Sequence, residues 1–240
     1  HQLVLIEGWT IKDVLEAMSA QDILKRRLEL ADDDWHNEII VNNKYLSPEG
    51  LFFPDTYQIV RGETDQQLLS RAHNRLLVVL NDEWQKRDIN LPYQSPYDAL
   101  IMASLIEKET GIARERSEIA GVFVRRLNKR MRLQTDPAVM YGLGADFDGN
   151  LRSYHLKDSG NLYNTYRHHG LPPTPIALVG REAIHAALHP AKGDTLYFVA
   201  KGDGSHYFSK TLDEHIRAVR RYQIEKRRED YRSSPPTIAP

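Results

Sequence analysis

A glutamate near the end of a predicted helix is the strongest candidate for chemistry in this sequence. Residues 97–109 read YDALIMASLIEKE, and at about 100° per residue their apolar side chains form one broad stripe. The centre of the stripe falls close to the direction of Glu109, whereas Glu107 points the other way. Burial in apolar surroundings raises the pKa of a carboxyl group, which suits a general acid near neutral pH. The alternative is a helix-end glutamate paired with Arg114 or Arg116.

A second group of polar residues follows the next predicted helix, which begins near residue 115 and has the apolar spacing of a packing helix. Asp136 stands before Pro137, and proline disfavours helical backbone in the residue before it, so the chain must turn here. The residues around the turn offer hydrogen-bonding groups that a core does not need: Gln134, Thr135, Asp136 and Tyr141. The alternative is an Asx cap that starts a short helix at Pro137.

Five stretches resemble, in the same order, the endolytic murein transglycosylases of the YceG-like (MltG) family. They are ASLIEKETG, ERSEIAGVFVRRL, MRLQTDPAVMYGLG, YNTYRHHGLPPTPIALVG and HPAKGDTLYFVAKGDGSHYFSKTLDEH. The resemblance covers roughly residues 50–222, and several motifs in one order are more specific than any one alone. It implies an enzyme held at the bacterial inner membrane, on the periplasmic side, that cuts peptidoglycan strands between N-acetylmuramic acid and N-acetylglucosamine.

The resemblance also implies which residues act. The family's catalytic glutamate is the second of the EKE triplet, here Glu109, which the helical pattern selects independently. Lytic transglycosylases use one carboxyl group to protonate the glycosidic oxygen and then to accept the proton of the muramyl 6-hydroxyl, so that a 1,6-anhydro ring forms. We expect six further residues to bind substrate: Glu107, Gln134, Asp136, Tyr141, Asn164 and Tyr166. No cofactor is expected.

The loop at 163–175 is the second candidate site, and three prolines stiffen it. The amide of Asn164 supplies a donor and an acceptor, and Tyr166 supplies a flat face with a polar tip; both suit N-acetyl sugars. No metal site is predicted. His168 and His169 lack identifiable further ligands, and the aspartates of the preceding loop do not have EF-hand spacing.

Composition narrows the classes of function. Of 240 residues, 41% are hydrophobic and 27% charged, which allows a proper core. Lysine plus arginine number 32 against 33 acidic residues, so nucleic acid is not expected as a partner; a weakly charged glycan suits this balance without being required by it. The absence of cysteine excludes disulfides and thiolate chemistry. We expect peptidoglycan glycan strands as the partner, and contact with cell-wall synthesis enzymes is left open.

No stretch approaches the roughly 20 apolar residues of a spanning helix, and no signal peptide is visible. The chain begins at His1 without methionine, so we expect a fragment. The resemblance implies that a single-pass membrane anchor and part of a small LysM-like domain preceded it. The expected domains are a LysM-like remnant at 1–48, the YceG-like catalytic domain at 49–232 and a flexible tail at 233–240.

The predicted fold class is α+β, with several helices around a small, mostly antiparallel sheet. The predicted elements are a strand at 2–6, helices at 10–20, 21–30, 64–84, 97–109, 115–129, 180–188 and from 211, a strand near 57–59 and a hairpin at 195–209. The elements in residues 1–48 are too small for an independent core, so we assign them to the remainder of a truncated accessory domain and interpret their individual residues as packing residues.

Two other functions fit the same residues. One is an ordinary glycan hydrolase in which Asp136 or Glu107 is the second carboxylate, and its products would carry reducing rather than anhydro ends. The other is a non-catalytic peptidoglycan-binding module, in which Glu109→Gln would leave function intact.

Overall fold

The computed structural model describes residues 1–28, 35–40 and 47–225. The end of the predicted helix at 21–30 and the predicted tail at 233–240 lie outside these residues. The helices are α1 Ile11–Ser19, α2 Asp65–Gln85, α3 Pro96–Glu109, α4 Ala113–Asn128, α5 Asp136–Leu143, α6 Ser153–Lys157, α7 Arg181–Leu188 and α8 Leu212–Val219. The strands are β1 Gln2–Val4, β2 Thr56–Gln58, β3 Tyr197–Ala200 and β4 His206–Ser209.

Helix α3 has strong local signals at both ends. Its N-cap is Ser95, whose hydroxyl accepts from the backbone N–H of Asp98 at 3.2 Å, while the Asp98 carboxylate accepts from the Ser95 N–H at 3.2 Å. Pro96 occupies the first position, where its missing N–H is not needed. The helix ends at Glu109, because Thr110 is extended. The predicted end of this helix is therefore confirmed.

The rest of the fold is arranged around α3. Every residue from 99 to 106 is buried, because α2, α4, α5 and α7 pack around this helix. The sequence pattern predicts one buried face, but the structure buries all faces of this segment. After Asp98 in the first turn, the charged residues of α3 all lie in its last turn, so the carboxyl groups there lie at the edge of a large apolar core.

The strands form two separate antiparallel pairs among the described residues. Strand β1 pairs with β2, with Leu3 opposite Tyr57, and β3 pairs with β4, with Phe198 opposite Phe208. The predicted α+β class, the antiparallel pairing and the hairpin at 195–209 are confirmed. In the hairpin turn, Gly202 has a φ of 91°, a conformation that favours glycine.

The predicted helix at 21–30 is wrong for the part that is described. Residues 21–28 form turns and a short parallel bridge between Lys25 and Thr64. The Asp65 carboxylate accepts from the N–H groups of Arg27 and Leu28 at 2.9 and 3.2 Å. These backbone donors are therefore held by α2 rather than by a helix of their own.

The N-terminal segment packs directly on the rest of the chain. The N–H of Gly8 donates to the carbonyl of Leu178 at 2.9 Å, and the N–H of Leu178 donates to the carbonyl of Trp9 at 2.7 Å. Buried side chains of β1 and α1 belong to the same apolar core as those of α2 and α3. The domain boundary between residues 48 and 49 stays a prediction.

Candidate active site

A cavity of about 840 Å³ opens at the C-terminal end of α3. Five of the seven predicted site residues line it: Glu109, Gln134, Asp136, Tyr141 and Tyr166. The hairpin and α8 supply another wall, which includes Tyr197, Phe198, His206 and His215. The cavity thus joins parts of the chain that are distant in sequence.

Glu109 is the last residue of α3 and lines this cavity. Its pKa is raised from its ordinary value of 4.5 to about 7, mainly because burial disfavours the charged form. The neighbouring carboxyl group of Asp136 raises the pKa further, while the Thr135 hydroxyl and the Arg126 guanidinium lower it. At neutral pH both protonation states of Glu109 are populated, as a group that first gives and then takes a proton requires.

The segment that carries Gln134, Thr135 and Asp136 is clamped against the loop that follows α6. The backbone N–H groups of Gln134 and Thr135 donate to the carbonyl and the hydroxyl of Thr165, at 3.2 and 2.9 Å. Gln134 has a φ of 53°, which costs a residue with a Cβ about 1 kcal/mol or more. Such strain is typical of positions where a side chain is aimed for function.

The hydroxyl of Thr135 is buried and has no hydrogen-bond partner within ordinary bonding distance. It nevertheless lies close enough to the Glu109 carboxyl to lower the pKa of that group. A buried hydroxyl without a partner is costly in a folded protein. Here the hydroxyl lies beside the Glu109 carboxyl group, so it is available to donate a hydrogen bond to the charged form of Glu109.

Arg126 is buried between the two walls of the cavity. Its guanidinium donates to the carbonyls of Leu196 and Leu133 at 2.6 and 2.7 Å and to Oε1 of Gln134 at 3.3 Å. It also lies over the ring of Tyr197, 5.1 Å from the ring centroid. Arg126 therefore joins the hairpin to the segment around Gln134 and supplies positive charge near Glu109.

Asp136 and Tyr166 form a hydrogen-bonded pair inside the cavity. The Tyr166 hydroxyl donates to Oδ1 of Asp136 at 2.7 Å. Burial raises the pKa of Asp136, and this hydrogen bond opposes that rise because it stabilises the carboxylate. The structure thus brings together two residues that are 30 apart in the sequence and that were both predicted to bind substrate.

Asn164 is fully buried and does not line the cavity. Its amide donates to the carbonyls of His155 and Asp158 at 3.0 and 2.6 Å and accepts from the Tyr166 backbone N–H at 3.0 Å. These bonds engage both ends of the side chain. The structure therefore places Asn164 as a support for Tyr166, and a direct contact with substrate would have to break them.

Tyr141 ties the cavity to the N-terminal segment. Its hydroxyl donates to Oε2 of Glu49 at 3.1 Å, and the same carboxyl group accepts from the backbone N–H of Ile11 at 3.0 Å, at the start of α1. Burial raises the pKa of Glu49 to about 7. Thr10, the N-cap of α1, lines the cavity as well.

Glu107 lies outside the cavity, although it was predicted to bind substrate. Its carboxylate accepts from the N–H of Gly180, the N-cap of α7, at 3.1 Å and lies 3.8 Å from Arg116. The side of α3 predicted to point away from the core is thus covered by the start of α7. Burial raises the pKa of Glu107 to about 7, and the charge of Glu7 raises it further.

The wall formed by the hairpin and α8 contains site residues that the sequence analysis missed. His206 lines the cavity and pairs with buried Glu115, with 2.8 Å between Nδ1 and Oε2. His215 stacks on Tyr197 at 5.2 Å, and burial together with the charge of Arg126 lowers its pKa. Both histidines lie in the last motif that carries the family resemblance, HPAKGDTLYFVAKGDGSHYFSKTLDEH. Their place in this motif was the only signal in the sequence that could have marked them as site residues.

One cluster among the described residues could hold a metal ion, and it lies away from the cavity. Glu83, His185 and His189 offer ligand atoms within 4.8 Å of one another. These groups already have partners: Glu83 binds Arg181 and His185, and His189 bonds to Asp88 at 3.1 Å. Because the arginine neutralises Glu83, this network is satisfied without an ion.

No described helix is both long and apolar enough to cross a bilayer.

The chain is similar in sequence to known proteins. The model of the YceG-like family matches residues 1–221. An endolytic murein transglycosylase of Bacillus subtilis is 35% identical over 215 residues, 88% of this chain and 58% of that protein. An enzyme of the same name from Streptococcus pneumoniae R6 is 31% identical over 178 residues, 71% of this chain and 31% of that protein.

A solved structure is also similar. The crystal structure of a yceG-like protein from Listeria monocytogenes superimposes with a TM-score of 0.70 at 33% identity, over 90% of this chain and 74% of that one. The chain spans about three fifths of the Bacillus relative and less than a third of the pneumococcal one. With a family model that covers nearly its whole length, the chain belongs to the YceG-like family.

Proposed function

We propose that this chain is the catalytic part of an endolytic lytic transglycosylase that cuts peptidoglycan glycan strands between N-acetylmuramic acid and N-acetylglucosamine. The observation that carries the proposal is Glu109, whose carboxyl group has a pKa of about 7 and lines a cavity rich in hydrogen-bonding side chains. The names of the Bacillus and pneumococcal relatives support the same reaction.

The reaction needs one carboxyl group that acts first in its protonated form and then in its ionised form. Protonated Glu109 gives its proton to the glycosidic oxygen as the bond from that oxygen to the anomeric carbon of muramic acid breaks. The resulting carboxylate then takes the proton of the muramyl 6-hydroxyl, whose oxygen attacks the anomeric carbon and closes the 1,6-anhydro ring. Glu109 ends protonated, and no water is consumed. A pKa near 7 makes both transfers feasible at neutral pH.

The other cavity residues have roles that follow from their chemistry. The Asp136 carboxyl group, fixed by Tyr166, is placed to stabilise positive charge that develops at the anomeric carbon. Gln134 and Tyr141 supply polar groups that suit hydroxyl and N-acetyl substituents. Arg126 and the Thr135 hydroxyl stabilise the ionised form of Glu109 after it has given its proton.

A two-carboxylate hydrolase is the second candidate, and one observation favours it. Asp136 lines the same cavity as Glu109 and is close enough to raise the pKa of Glu109. It could therefore act as the nucleophile or base that such enzymes require. Glu107 does not support this alternative, because its carboxylate is held by Gly180 outside the cavity.

The test is mass spectrometry of peptidoglycan glycans after incubation with the parent protein, Glu109→Gln and Asp136→Asn. Glu118→Gln, which changes an exposed glutamate on α4, is the matched control. We expect internal cuts with anhydromuramic ends from the parent and the control, and a loss of about 100 to 10,000 fold in Glu109→Gln.

Three outcomes contradict the proposal in different ways. Reducing ends that disappear in Asp136→Asn would establish the hydrolase. Cleavage by Glu109→Gln at the parent rate would remove Glu109 from the chemistry. Binding of glycan strands by the parent without cleavage would establish a non-catalytic module.

We also propose that the protein acts at the inner membrane, as a single-pass protein with this chain on the periplasmic side, near the enzymes that synthesise the wall. The support is the proposed substrate, which lies outside the cytoplasm. Fractionation of cells that produce the full-length protein tests this location, and crosslinking tests the contact with synthesis enzymes. Recovery of the protein in the cytosol would contradict the proposal.

A further inference from the structure

His206 is held in a fixed position at the wall of the cavity. It begins strand β4, is 8% exposed and lines the same cavity as Glu109. Its Nδ1 lies 2.8 Å from Oε2 of Glu115, and its backbone N–H donates to Oε1 of the same carboxylate at 3.1 Å. The ring of Phe198 meets the imidazole edge to face, with the centroids 5.4 Å apart. These contacts fix both the place of the ring and its plane.

The partner of Nδ1 determines what the other ring nitrogen can do. An ionised carboxylate only accepts hydrogen bonds, so we assign the proton of the neutral ring to Nδ1. Nε2 then carries a lone pair and is an acceptor. Glu115 is buried in the first turn of α4, where the helix N-terminus favours a negative charge.

The pair is also joined to the end of helix α3. The hydroxyl of Thr110 lies 3.5 Å from Oε2 of Glu115, and Thr110 directly follows Glu109 in the chain. The same hydroxyl accepts from the backbone N–H of Ile112 at 3.0 Å, which fixes the short connection between α3 and α4. His206 is therefore linked through Glu115 and Thr110 to the end of α3, next to Glu109 in the chain.

We propose that His206 binds the glycan directly, with Nε2 accepting a hydrogen bond from a sugar hydroxyl or an N-acetyl N–H, and that Glu115 is a positioning residue that holds the ring in the accepting tautomer. This inference rests on the proposed function in glycan cleavage. It adds an acceptor from the hairpin to the polar groups that α3, α5 and the loop at 163–175 contribute to the cavity. If the pair of His206 and Glu115 only stabilised the fold, the bond from Nδ1 would suffice and Nε2 would have no role.

Two substitutions separate the two nitrogens of the ring. In His206→Asn the amide can replace Nδ1 toward Glu115, but no atom reaches the position of Nε2. In His206→Gln the longer amide can reach the position of Nε2, but the bond to Glu115 is lost. His189→Asn is the matched control, because it changes another histidine that is hydrogen-bonded to a carboxylate but lies away from the cavity.

Binding and cleavage are measured with soluble glycan strands freed of their peptides. Binding is measured by calorimetry in Glu109→Gln, where cleavage is blocked, and cleavage is measured with Glu109 present. For His206→Asn we expect affinity and kcat/KM to fall about 10-fold while the unfolding midpoint stays near that of the parent. For His206→Gln we expect affinity within about threefold of the parent, but a midpoint lower by about 5 °C, because buried Glu115 loses a partner.

The outcomes separate this inference from the proposed function. If the parent cleaves and His206→Asn binds and cleaves as well as the parent, the inference is overturned and the pair is structural. Equal losses of affinity in His206→Asn and His189→Asn would also overturn it. A parent that neither binds nor cleaves glycan would overturn the proposed function and this inference with it. If the parent binds but does not cleave, the affinity of His206→Asn still decides the inference.

Discussion

Replacing Glu109 by glutamine should make the protein more stable at alkaline pH while it removes the proposed activity. The reason is that the folded state holds the Glu109 carboxyl where its charge is disfavoured, so its pKa rises from 4.5 to about 7. At pH values between these two pKa values, the Glu109 carboxyl group loses its proton in the unfolded chain but keeps it in the folded chain. Folding stability therefore falls as pH rises through this window, and glutamine, which has no charge, escapes the loss.

The magnitude follows from the two pKa values. Each pKa unit corresponds to about 1.4 kcal/mol, so the full loss of folding free energy above pH 7 is on the order of 3 kcal/mol. At pH 5 the same linkage gives roughly 1 kcal/mol, because most of the window lies above that pH. The gain in unfolding free energy from Glu109→Gln should thus be larger at pH 8 than at pH 5 by about 2 kcal/mol.

Urea denaturation of the parent and of Glu109→Gln at pH 5 and pH 8 measures this difference. Groups that do not interact with Glu109 titrate alike in both proteins and cancel in the comparison. Glu118→Gln on the exposed face of α4 is the control and should change stability by less than about 0.5 kcal/mol at either pH. An advantage of Glu109→Gln that is the same at both pH values would refute the claim that burial controls the ionisation of Glu109.

Three further substitutions test the supports of the site. Tyr166→Phe removes a donor to Asp136, so the pKa of Asp136 should rise and glycan cleavage at neutral pH should fall about 10 to 100 fold, measured as kcat/KM. Asn164→Ala should lower the unfolding free energy by about 3 kcal/mol, measured in urea, whereas a residue that only bound substrate would lose affinity without stability. Gly121→Ala would place a Cβ 2.4 Å from the carbonyl oxygen of Ala191, so its unfolding midpoint should fall by several degrees in calorimetry.

Local patterns predict the helices well because their signals lie close together in sequence. Helix α2 has Thr64 and Gln67 as a capping box, and α8 has Thr211 and Glu214. Glu109 was selected by the apolar periodicity of α3, which is also a local signal. Helical periodicity assumes one buried face, whereas α7 covers a second face of α3 that includes Glu107, so the predicted role of Glu107 in substrate binding stays a prediction.

Contacts between distant segments give no comparable signal. The hydroxyl of Tyr141 reaches Glu49 across 92 residues, and Glu115 reaches His206 across 91. Neither Glu49 nor Glu115 can be recognised as a site residue from the sequence around it, because single glutamates in loops and helices are common. The aromatic and histidine side chains of the hairpin have a strand pattern that packing alone explains. Only the folded chain places them beside Glu109.

The bond between Glu49 and the start of α1 has a consequence for any shortened form of this protein. A version that begins at residue 49 would keep Glu49 but lose the N–H of Ile11, and Leu178 would lose both its backbone partners. Strand β2 would become an unpaired edge, and the cavity would lose Thr10. The first 28 residues therefore brace the catalytic part from outside, and a cut before residue 49 would release Glu49, Leu178 and β2 together.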